Sequence, residues 1–288
     1  MRPAPRARPP RARRALRLAS LAAALAIAVA AGCERTPPAP EAGTKDYQRD
    51  AFVAVPFGLV NALGGNLVVA RPDLDFDTRL GNLALGATWN SASPAWRWSF
   101  ELHYDGTRFV DASGAVYDAA AVANGAAIPG SVWVRLDARR LRSKGGLVHE
   151  FAGDGRLAAV RWASGAHPRL EYRTLSTPAG PRVGSIVQVA APGDETVMAR
   201  LAWDAGGRLT SLEDRAGRRA LFGWNTAGQL VQARDAFDVA RGLPGFRYAY
   251  ADGRLVSVQS SEGVRAEYAY AGPRLVRARA LGLGDPAV

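Results

Sequence analysis

A short phrase recurs through the second half of this 288-residue chain and constrains its fold more than any other feature. Each copy holds a strand centred on an aromatic residue, a polar turn that mostly ends in Gly, a basic or amide residue, a Leu and a second strand. The leucines are Leu157, Leu209, Leu230, Leu255 and Leu275. The gap between the first two is twice 26 residues, which places a further, degenerate copy at Val183. An internal repeat of this period predicts a stacked architecture.

The residues of one copy explain why a strand pair should form. In the segment LAWDAGGRLTSL, simple strand alternation puts Leu209 and Ser211 on one face and Thr210 and Leu212 on the other. One hairpin is marginal alone, so neighbouring hairpins should pair edge to edge in a long sheet. The sequence therefore predicts an all-β fold of consecutive antiparallel hairpins that form a curled or spiral sheet.

Four kinds of position define the turn and the core of each copy. An aromatic precedes the turn and should pack on the Leu that follows it. The turn Gly stands where positive φ is required, and a basic residue follows the Gly in most copies. These positions are Phe151, Gly155, Leu157, Trp203, Gly207, Arg208, Leu209, Trp224, Gly228, Leu230, Tyr250, Gly253, Arg254, Leu255, Tyr270 and Leu275.

These copies resemble the RHS or YD repeats of bacterial RHS proteins, wall-associated proteins, the C components of toxin complexes and animal teneurins. The family pattern is Tyr-Asp-x-x-Gly-Arg-Leu, then strand residues and a polar turn. Trp203–Leu209 fits it and Trp224–Leu230 is a near match, whereas Tyr250–Leu255 is one residue short and the turn Gly is lost at Pro273. The resemblance implies a β-shell, here only a partial RHS shell because six degenerate repeats give too little sheet to close it.

The segment before the repeats is also rich in predicted strands. Residues 51–146 hold short apolar runs that end at Gly, Asn, Pro or Asp, and they resemble the segment that precedes the repeats in many RHS proteins. The matching phrases are Val60-Asn61, Gly65-Asn66-Leu67, Trp89-Asn90-Ser91 and Ala95-Trp96-Arg97-Trp98. We therefore predict an N-terminal β-rich RHS-associated domain at 51–146, YD/RHS-like repeats at 147–281 and a tail at 282–288.

The N-terminus reads as an export signal. Seven arginines precede an apolar run that is short for a membrane span, and the run ends in Ala30-Ala31-Gly32-Cys33. This ending resembles a bacterial lipobox, which implies a lipoprotein signal peptide at 1–32 and lipidation of Cys33, the only cysteine in the chain. Residues 33–50 are Pro-rich and predict a flexible tether. An ordinary secretory signal with an accidental Cys is the alternative.

The signal segment also bears on the partners and the location. The lipid membrane is the predicted partner of acylated Cys33, at the bacterial cell envelope. Glu34, which stands where Asp commonly retains lipoproteins at the inner membrane, favours the outer membrane. Removing residues 1–32 leaves 30 basic and 26 acidic residues from a chain whose net charge is +11. Because this balance is nearly neutral and the charges are mixed, nucleic acid is not a predicted partner.

No constellation in the sequence predicts catalysis or a cofactor. His103, His149 and His167 lie in unrelated contexts, and no Walker A, dinucleotide or G-x-S-x-G motif is present. Asp73, Asp75 and Asp77 alternate, so a regular strand would place them on one side as a weak Ca²⁺ candidate. Trp89, Trp96 and Trp98 are either core aromatics or a carbohydrate platform.

These observations favour a non-enzymatic, envelope-anchored RHS/YD-repeat lipoprotein that binds or encapsulates a partner polypeptide related to a toxin or to secretion. A strand of that partner would add to an open edge of the sheet. The first alternative is a truncated remnant of a larger RHS toxin or exporter with a structural role. The alternative of another class is a calcium- or carbohydrate-handling surface protein.

Overall fold

The computed structural model describes residues 52–62 and 64–282. The predicted signal peptide, Cys33 and the tether lie outside the described residues, as does the tail from residue 283. No helix within the described ranges is long and apolar enough to span a membrane.

The described residues form three antiparallel sheets, and in each sheet the strands follow chain order. The first has five strands, β1 Phe52–Val55, β2 Gly58–Asn61, β3 Leu67–Thr78, β4 Gly81–Asn90 and β5 Ala95–Trp98. The second has three, β6 His103–Tyr104, β7 Arg108–Val110 and β8 Val116–Asp118.

The third sheet has fourteen strands and contains the repeats. Its strands are β9 Val134–Arg135, β10 Arg140–Arg142, β11 Leu147–Phe151, β12 Leu157–Trp162, β13 Arg169–Thr177, β14 Gly180–Ala191, β15 Asp194–Trp203, β16 Leu209–Asp214, β17 Arg219–Trp224, β18 Leu230–Arg234, β19 Phe246–Ala251, β20 Arg254–Gln259, β21 Arg265–Ala271 and β22 Arg274–Leu281. The predicted all-β fold of consecutive antiparallel hairpins is confirmed. This long sheet begins at β9, before residue 147.

One short helix, α1, interrupts the long sheet between β18 and β19. It spans Ala236–Arg241, with Asp235 as N-cap and Gly242 in the left-handed conformation at its C-terminal end. The Asp235 carboxylate accepts from the backbone N–H of Asp238 at 2.7 Å. This insertion lengthens the step between the leucines of β18 and β20. The two earlier steps of 26 residues have another cause, because β13, β14 and β15 are longer than the later repeat strands.

The five-stranded sheet packs across one face of the long sheet. The loop before β3 reaches β22, where the Leu275 N–H donates to the Gly65 carbonyl at 2.7 Å. Just after β3, the Arg79 N–H donates to Gln188 on β14 at 2.6 Å. The 12 residues of β3 span about 40 Å. Because the eight strand spacings between β14 and β22 add up to about 38 Å, β3 runs across the repeat strands at a steep angle.

A second segment, which begins in β5, crosses the long sheet in the same direction as β3, because β4 is antiparallel to both strands, and it forms the shared core. Trp96 packs on Tyr248 of β19 with ring centroids 4.8 Å apart. Trp98 packs on Phe222 of β17 at 4.6 Å. Phe100 then meets Trp203 of β15 at 6.4 Å. Each step of two residues along this segment therefore meets a strand two places further along the sheet, and one hydrophobic cluster joins the two sheets.

Candidate partner-binding edge

Three of the repeat turns are closed by the same backbone hydrogen bonds. In the turn after Trp203, the Gly207 N–H donates to the Asp204 carbonyl at 2.9 Å, and the Asp204 N–H donates to the Arg208 carbonyl at 2.9 Å. Gly207 has φ 73°, a conformation that glycine adopts without strain. The corresponding bonds and positive φ recur at Gly155 and Gly228.

Two turns depart from this form and explain the irregular copies. The copy that is one residue short has a two-residue turn in which Asp252 and Gly253 both have positive φ, 50° and 76°. In the last copy the prediction that the turn Gly is lost was wrong. Gly272, with φ 56°, takes the first turn position and Pro273 takes the second, where negative φ suits proline.

Side chains of the repeat do not simply alternate, because a β-bulge follows each repeat leucine. Trp203 pairs with Leu209 and Ala202 with Ser211, so Thr210 is the extra residue. The bulge returns Leu212 to the face of Leu209, and both leucines are fully buried. The prediction that they lie on opposite faces was therefore wrong. The same bulge follows Leu157, Leu230, Leu255 and Leu275.

The register of β13 and β14 confirms that the degenerate copy is centred at Val183, as the 26-residue spacing predicted. Thr174 pairs with Val183 and Arg173 with Ser185, which makes Gly184 the bulge residue. Val183 thus holds the position of a repeat leucine, and Ile186, three residues on, is fully buried.

Aromatic side chains link four of the repeats to the one before them. Trp203 Nε1–H donates to the Val183 carbonyl at 2.7 Å, and Trp224 Nε1–H donates to the Leu209 carbonyl at 2.7 Å. The Tyr250 hydroxyl donates to the Leu230 carbonyl at 2.8 Å. The Tyr270 hydroxyl donates to the Leu255 carbonyl at 3.0 Å. The donor changes from indole to phenol, but the acceptor is always the leucine, or Val183, of the preceding repeat.

Basic side chains link four of the repeats to the one after them. Arg156 donates to the Pro181 carbonyl at 2.7 Å. Arg182 donates to the Gly207 carbonyl at 3.3 Å, and its guanidinium lies 5.7 Å from the centre of the Trp203 ring. The two next contacts of this kind join Arg208 to the Asn225 carbonyl at 3.2 Å and Arg254 to the Gly272 carbonyl. The Arg254 guanidinium likewise lies 5.7 Å from the centre of the Tyr270 ring.

The two ends of the long sheet differ in how they are covered. At the β9 end, the Arg135 N–H donates to the Ala126 carbonyl at 2.9 Å, and the Gly125 N–H donates to the Arg135 carbonyl at 2.7 Å. The Arg135 guanidinium also donates to the Val122 carbonyl at 2.6 Å and to the Tyr104 hydroxyl at 3.0 Å. The chain's own loop therefore covers this edge.

Within the described part of the chain, the β22 end is open over most of its length. Val276 is 63% exposed, and Arg274, Arg277 and Arg279 are exposed as well. Among the described residues, the backbone contact at the outer side of β22 is that of Leu275 with Gly65. An edge strand of this kind offers unpaired N–H and C=O groups to a further strand. We take β22 as the candidate binding edge.

The structure separates the three aspartates that were considered for calcium. Asp73 is the extra residue of a bulge in β3, which turns its side chain into the core beside Arg71, 2.5 Å away, while Asp75 and Asp77 stay in solvent. The prediction that all three share one side was therefore wrong. Burial raises the pKa of Asp73 to about 7 against the attraction of Arg71. Within the described ranges no cluster of His, Cys, Asp or Glu is arranged to hold a metal.

The histidines and tryptophans also occupy structural positions. Trp89 and Trp98 are 1% and 2% exposed, so they are not available to stack on a sugar. Trp96 donates its indole N–H to the Tyr250 hydroxyl at 2.7 Å. His103 lies 3.1 Å from the Asp154 carbonyl, and the His167 ring lies 3.5 Å from the carbonyl of Val189.

His149 is packed edge-on against Trp133 with ring centroids 4.7 Å apart. Burial lowers its pKa from 6.5 to about 4. Because its pKa is lower in the folded protein, His149 binds a proton more readily in the unfolded chain. The contribution of the neutral, buried ring to the free energy of unfolding is therefore fully present above about pH 6.5 and is lost as the pH falls toward 4. We expect the loss to reach at most about 3 kcal/mol. Denaturant unfolding of wild type and His149→Phe from pH 4 to pH 8 measures it; equal pH dependence of the two proteins would contradict the assignment.

The aromatic links should contribute measurably to stability. Trp224→Phe keeps a ring but removes the donor to the Leu209 carbonyl. We expect a loss of about 1–1.5 kcal/mol in the free energy of unfolding. The matched control is Trp162→Phe, since Trp162 is 40% exposed and makes no such contact with a neighbouring repeat. A loss no larger than that of the control would show that the link does not stabilise the stack.

Comparison with known families identifies the middle of the repeat region. The RHS repeat model matches residues 203–240, from the end of β15 through β16, β17 and β18 into α1. Residues 203–240 are thus similar to an RHS repeat. The match covers 38 of the 288 residues and includes the two copies that fit the family pattern best.

None of the curated proteins matches the chain. The chain is similar to the crystal structure of TcdB2-TccC3-TEV, with 13% identity over 80% of this chain and 12% of that chain and a TM-score of 0.37. It is similar to TcdB2-TccC3, with 13% identity over 75% of this chain and 12% of the other and a TM-score of 0.31. For the Photorhabdus luminescens Tc holotoxin pore the identity is 14%, the coverage 77% and 12%, and the TM-score 0.32. The chain spans about an eighth of these solved chains, and the fold assignment rests on its own strand pairing.

The sequence did not predict the contacts that link one repeat to the next or the loop that covers the β9 edge. The links between repeats join residues 15 to 25 positions apart, and the phrase in each copy shows the donor but not its acceptor. The loop that covers β9 carries no turn or strand signal that points to its target. The aromatic, Arg and Leu positions were visible in the sequence, whereas their role in joining repeats is visible only in the structure.

Proposed function

We propose that this protein is a non-enzymatic, envelope-anchored RHS-repeat lipoprotein that binds a partner polypeptide by strand addition at β22. The observation that carries the proposal is the difference between the two edges of the long sheet. The edge at β9 is covered by the chain's own loop, whereas β22 exposes Val276 and three arginines. Strand addition to an exposed edge supplies main-chain hydrogen bonds that need no particular sequence in the partner.

The packing of the two sheets favours the edge over the sheet face as the binding surface. Encapsulation by this face would require it to be free, but Trp96, Trp98 and Phe100 occupy it. A partner would therefore meet the end of the stack. The proposed relation of the partner to a toxin or to secretion rests on the RHS repeat and on the resemblance of the copies to toxin-complex components.

The lipid anchor is the second part of the proposal. Cys33 follows Ala30-Ala31-Gly32 and is the only thiol in the chain. Metabolic labelling with a palmitate analogue, followed by membrane fractionation, tests it. We expect wild type to carry the label and to sediment with outer membranes, and Cys33→Ala to lose the label and to leave the membrane fraction. Wild type that carries no label would overturn the anchor without bearing on the binding edge.

A capped variant tests the binding edge. A copy of residues 246–259, the hairpin of β19 and β20, placed directly after Gly282 would fold onto β22 and occupy it. The control carries a Gly/Ser tail of the same length at the same place. We expect tagged wild type and the control to co-purify a host polypeptide in stoichiometric amount and the capped variant to lose it. Capture by all three proteins would place binding elsewhere, and recovery of each alone would favour the remnant with a structural role.

A further inference from the structure

The repeats are joined by two periodic contacts, and both stop at β22. Going forward, a basic residue donates to a carbonyl in the next turn, as Arg208 does to Asn225. Going backward, an aromatic donates to the carbonyl of the preceding leucine, as Trp224 does to Leu209. The copies at Val183, Leu209 and Leu255 therefore each present one donor and one acceptor to their successor.

The copy at Leu275 has the same two groups, and no further repeat pairs with it among the described residues. Arg274 occupies the position of Arg208, and no hydrogen bond or ion pair joins its guanidinium to another described residue. Leu275 occupies the position of Leu209, and no Trp or Tyr of a following repeat donates to its carbonyl within the described ranges. The Leu275 N–H, by contrast, is bound to Gly65. Besides the backbone of an unpaired strand, the open edge therefore offers a guanidinium donor at Arg274 and a carbonyl acceptor at Leu275.

From this arrangement we infer that β22 recognises an RHS-type hairpin supplied by another polypeptide. The inference rests on the proposed binding at this edge and adds the chemistry of the partner. The first strand of the hairpin pairs with β22, and its Trp or Tyr donates to the Leu275 carbonyl. A carbonyl in its turn accepts from Arg274, whose guanidinium lies over the same aromatic ring, as Arg182 does over Trp203.

The register also predicts one charge in the partner. Arg279 of β22 occupies the position that Glu213 holds in β16. Glu213 pairs with Arg200 of the preceding strand. Arg279 pairs instead with Glu267 of β21, so the two charges are exchanged. Glu213 faces Arg219 of the following strand and forms an ion pair with it at 2.5 Å. Because the charge is reversed at Arg279, the partner hairpin should carry Asp or Glu where Arg219 stands. An opposite-charge pair directly across two strands is favourable, and a like-charge pair is not.

A second copy of this chain is a poor occupant. Its first repeat has Phe151 at the aromatic position, which has no donor for the Leu275 carbonyl. Its outer strand β9 is covered by residues 122–128. Pairing of two β22 strands about a twofold axis would bring arginines of one copy toward those of the other. A hairpin of a different chain meets none of these obstacles.

The test uses the full chain and cyclised 16-residue peptides with the sequence of residues 219–234. The first peptide carries Arg219→Glu, which supplies the predicted acid and keeps Trp224. The second carries Arg219→Glu and Trp224→Phe, which removes the indole donor. Binding is measured by calorimetry against wild type, Arg274→Ala and Arg142→Ala. Arg142 is an exposed arginine of β10 and serves as the matched control.

We expect the Trp peptide to bind wild type roughly five- to tenfold more tightly than the Phe peptide, as the loss of one hydrogen bond implies. Arg274→Ala should weaken binding of the Trp peptide by a similar factor, and Arg142→Ala should leave it unchanged. Equal binding of both peptides, with no effect of Arg274→Ala, would overturn the inference while strand addition at β22 stands. Failure of both peptides to bind, with host partner still lost from the capped variant, would also overturn the inference alone.

Discussion

Trp98→Ala is expected to lower the free energy of unfolding by about 3–5 kcal/mol. Trp98 is 2% exposed and lies between Phe222, 4.6 Å away at 59°, and Phe100, 6.4 Å away and parallel. Removing its indole leaves a cavity at the junction of the five-stranded and fourteen-stranded sheets. The surrounding side chains belong to two sheets that cross steeply, so they cannot close the space by sliding together.

Urea unfolding followed by tryptophan fluorescence and by far-UV circular dichroism measures the effect. The matched control is Trp162→Ala, because Trp162 lies on β12 and is 40% exposed. We expect the control to lose less than about 1 kcal/mol. If Trp98→Ala were no worse than the control, the first sheet would not be packed on the repeats, and the face of the long sheet would again be available to a partner.

Gly86→Ala is expected to cost about 3 kcal/mol or to displace β3 from its register. Gly86 pairs with Pro72 beside the bulge at Asp73. A Cβ at Gly86 would lie 2.2 Å from the Arg71 carbonyl oxygen and 3.0 Å from Pro72 Cα, both backbone atoms that cannot move aside. The buried pair of Arg71 and Asp73 depends on that bulge, so displacement of β3 would also disturb the core beneath it.

Gly145→Ala is the matched control for this substitution. Gly145 has no atom within 4 Å of an added Cβ and has no positive φ. We expect it to change stability by less than about 0.5 kcal/mol. Thermal unfolding of the two variants checks the difference; equal melting temperatures would show that the bulge in β3 tolerates a side chain opposite it.

The repeat part of the fold was predictable because each copy carries its own turn signal. Gly207, Gly228 and Gly253 stand at turns where positive φ is needed, and spacing alone located the copy at Val183. The bulges were not predictable, because alternation is a rule for unbroken strands and nothing in Leu-Thr-Ser-Leu shows that Thr210 is extra. The helix α1 had an N-cap at Asp235 and a Gly at 242, but six residues are too few for a periodic signal.

The binding edge could be predicted only in part. Any sheet of stacked hairpins that does not close into a barrel or shell has two edge strands, so the presence of an open edge was predictable. Which edge is open depends on contacts distant in sequence, such as that of Arg135 with Val122 at one end and that of Leu275 with Gly65 at the other. The packing of Trp96, Trp98 and Phe100 across the repeat strands was also not predictable. These residues contact strands that are distant in sequence, and no local pattern shows which strand each one meets.

Site-specific photo-cross-linking in the host tests the central claim most directly. The photoreactive residue p-benzoylphenylalanine replaces Val276 on β22 or, as the control, Val116 on β8; the two valines are 63% and 61% exposed. Irradiation followed by mass spectrometry identifies the joined peptides. We expect a cross-link from position 276 to a strand of another polypeptide and none from position 116. A partner joined at position 116, or one that co-purifies but is never joined at position 276, would contradict it.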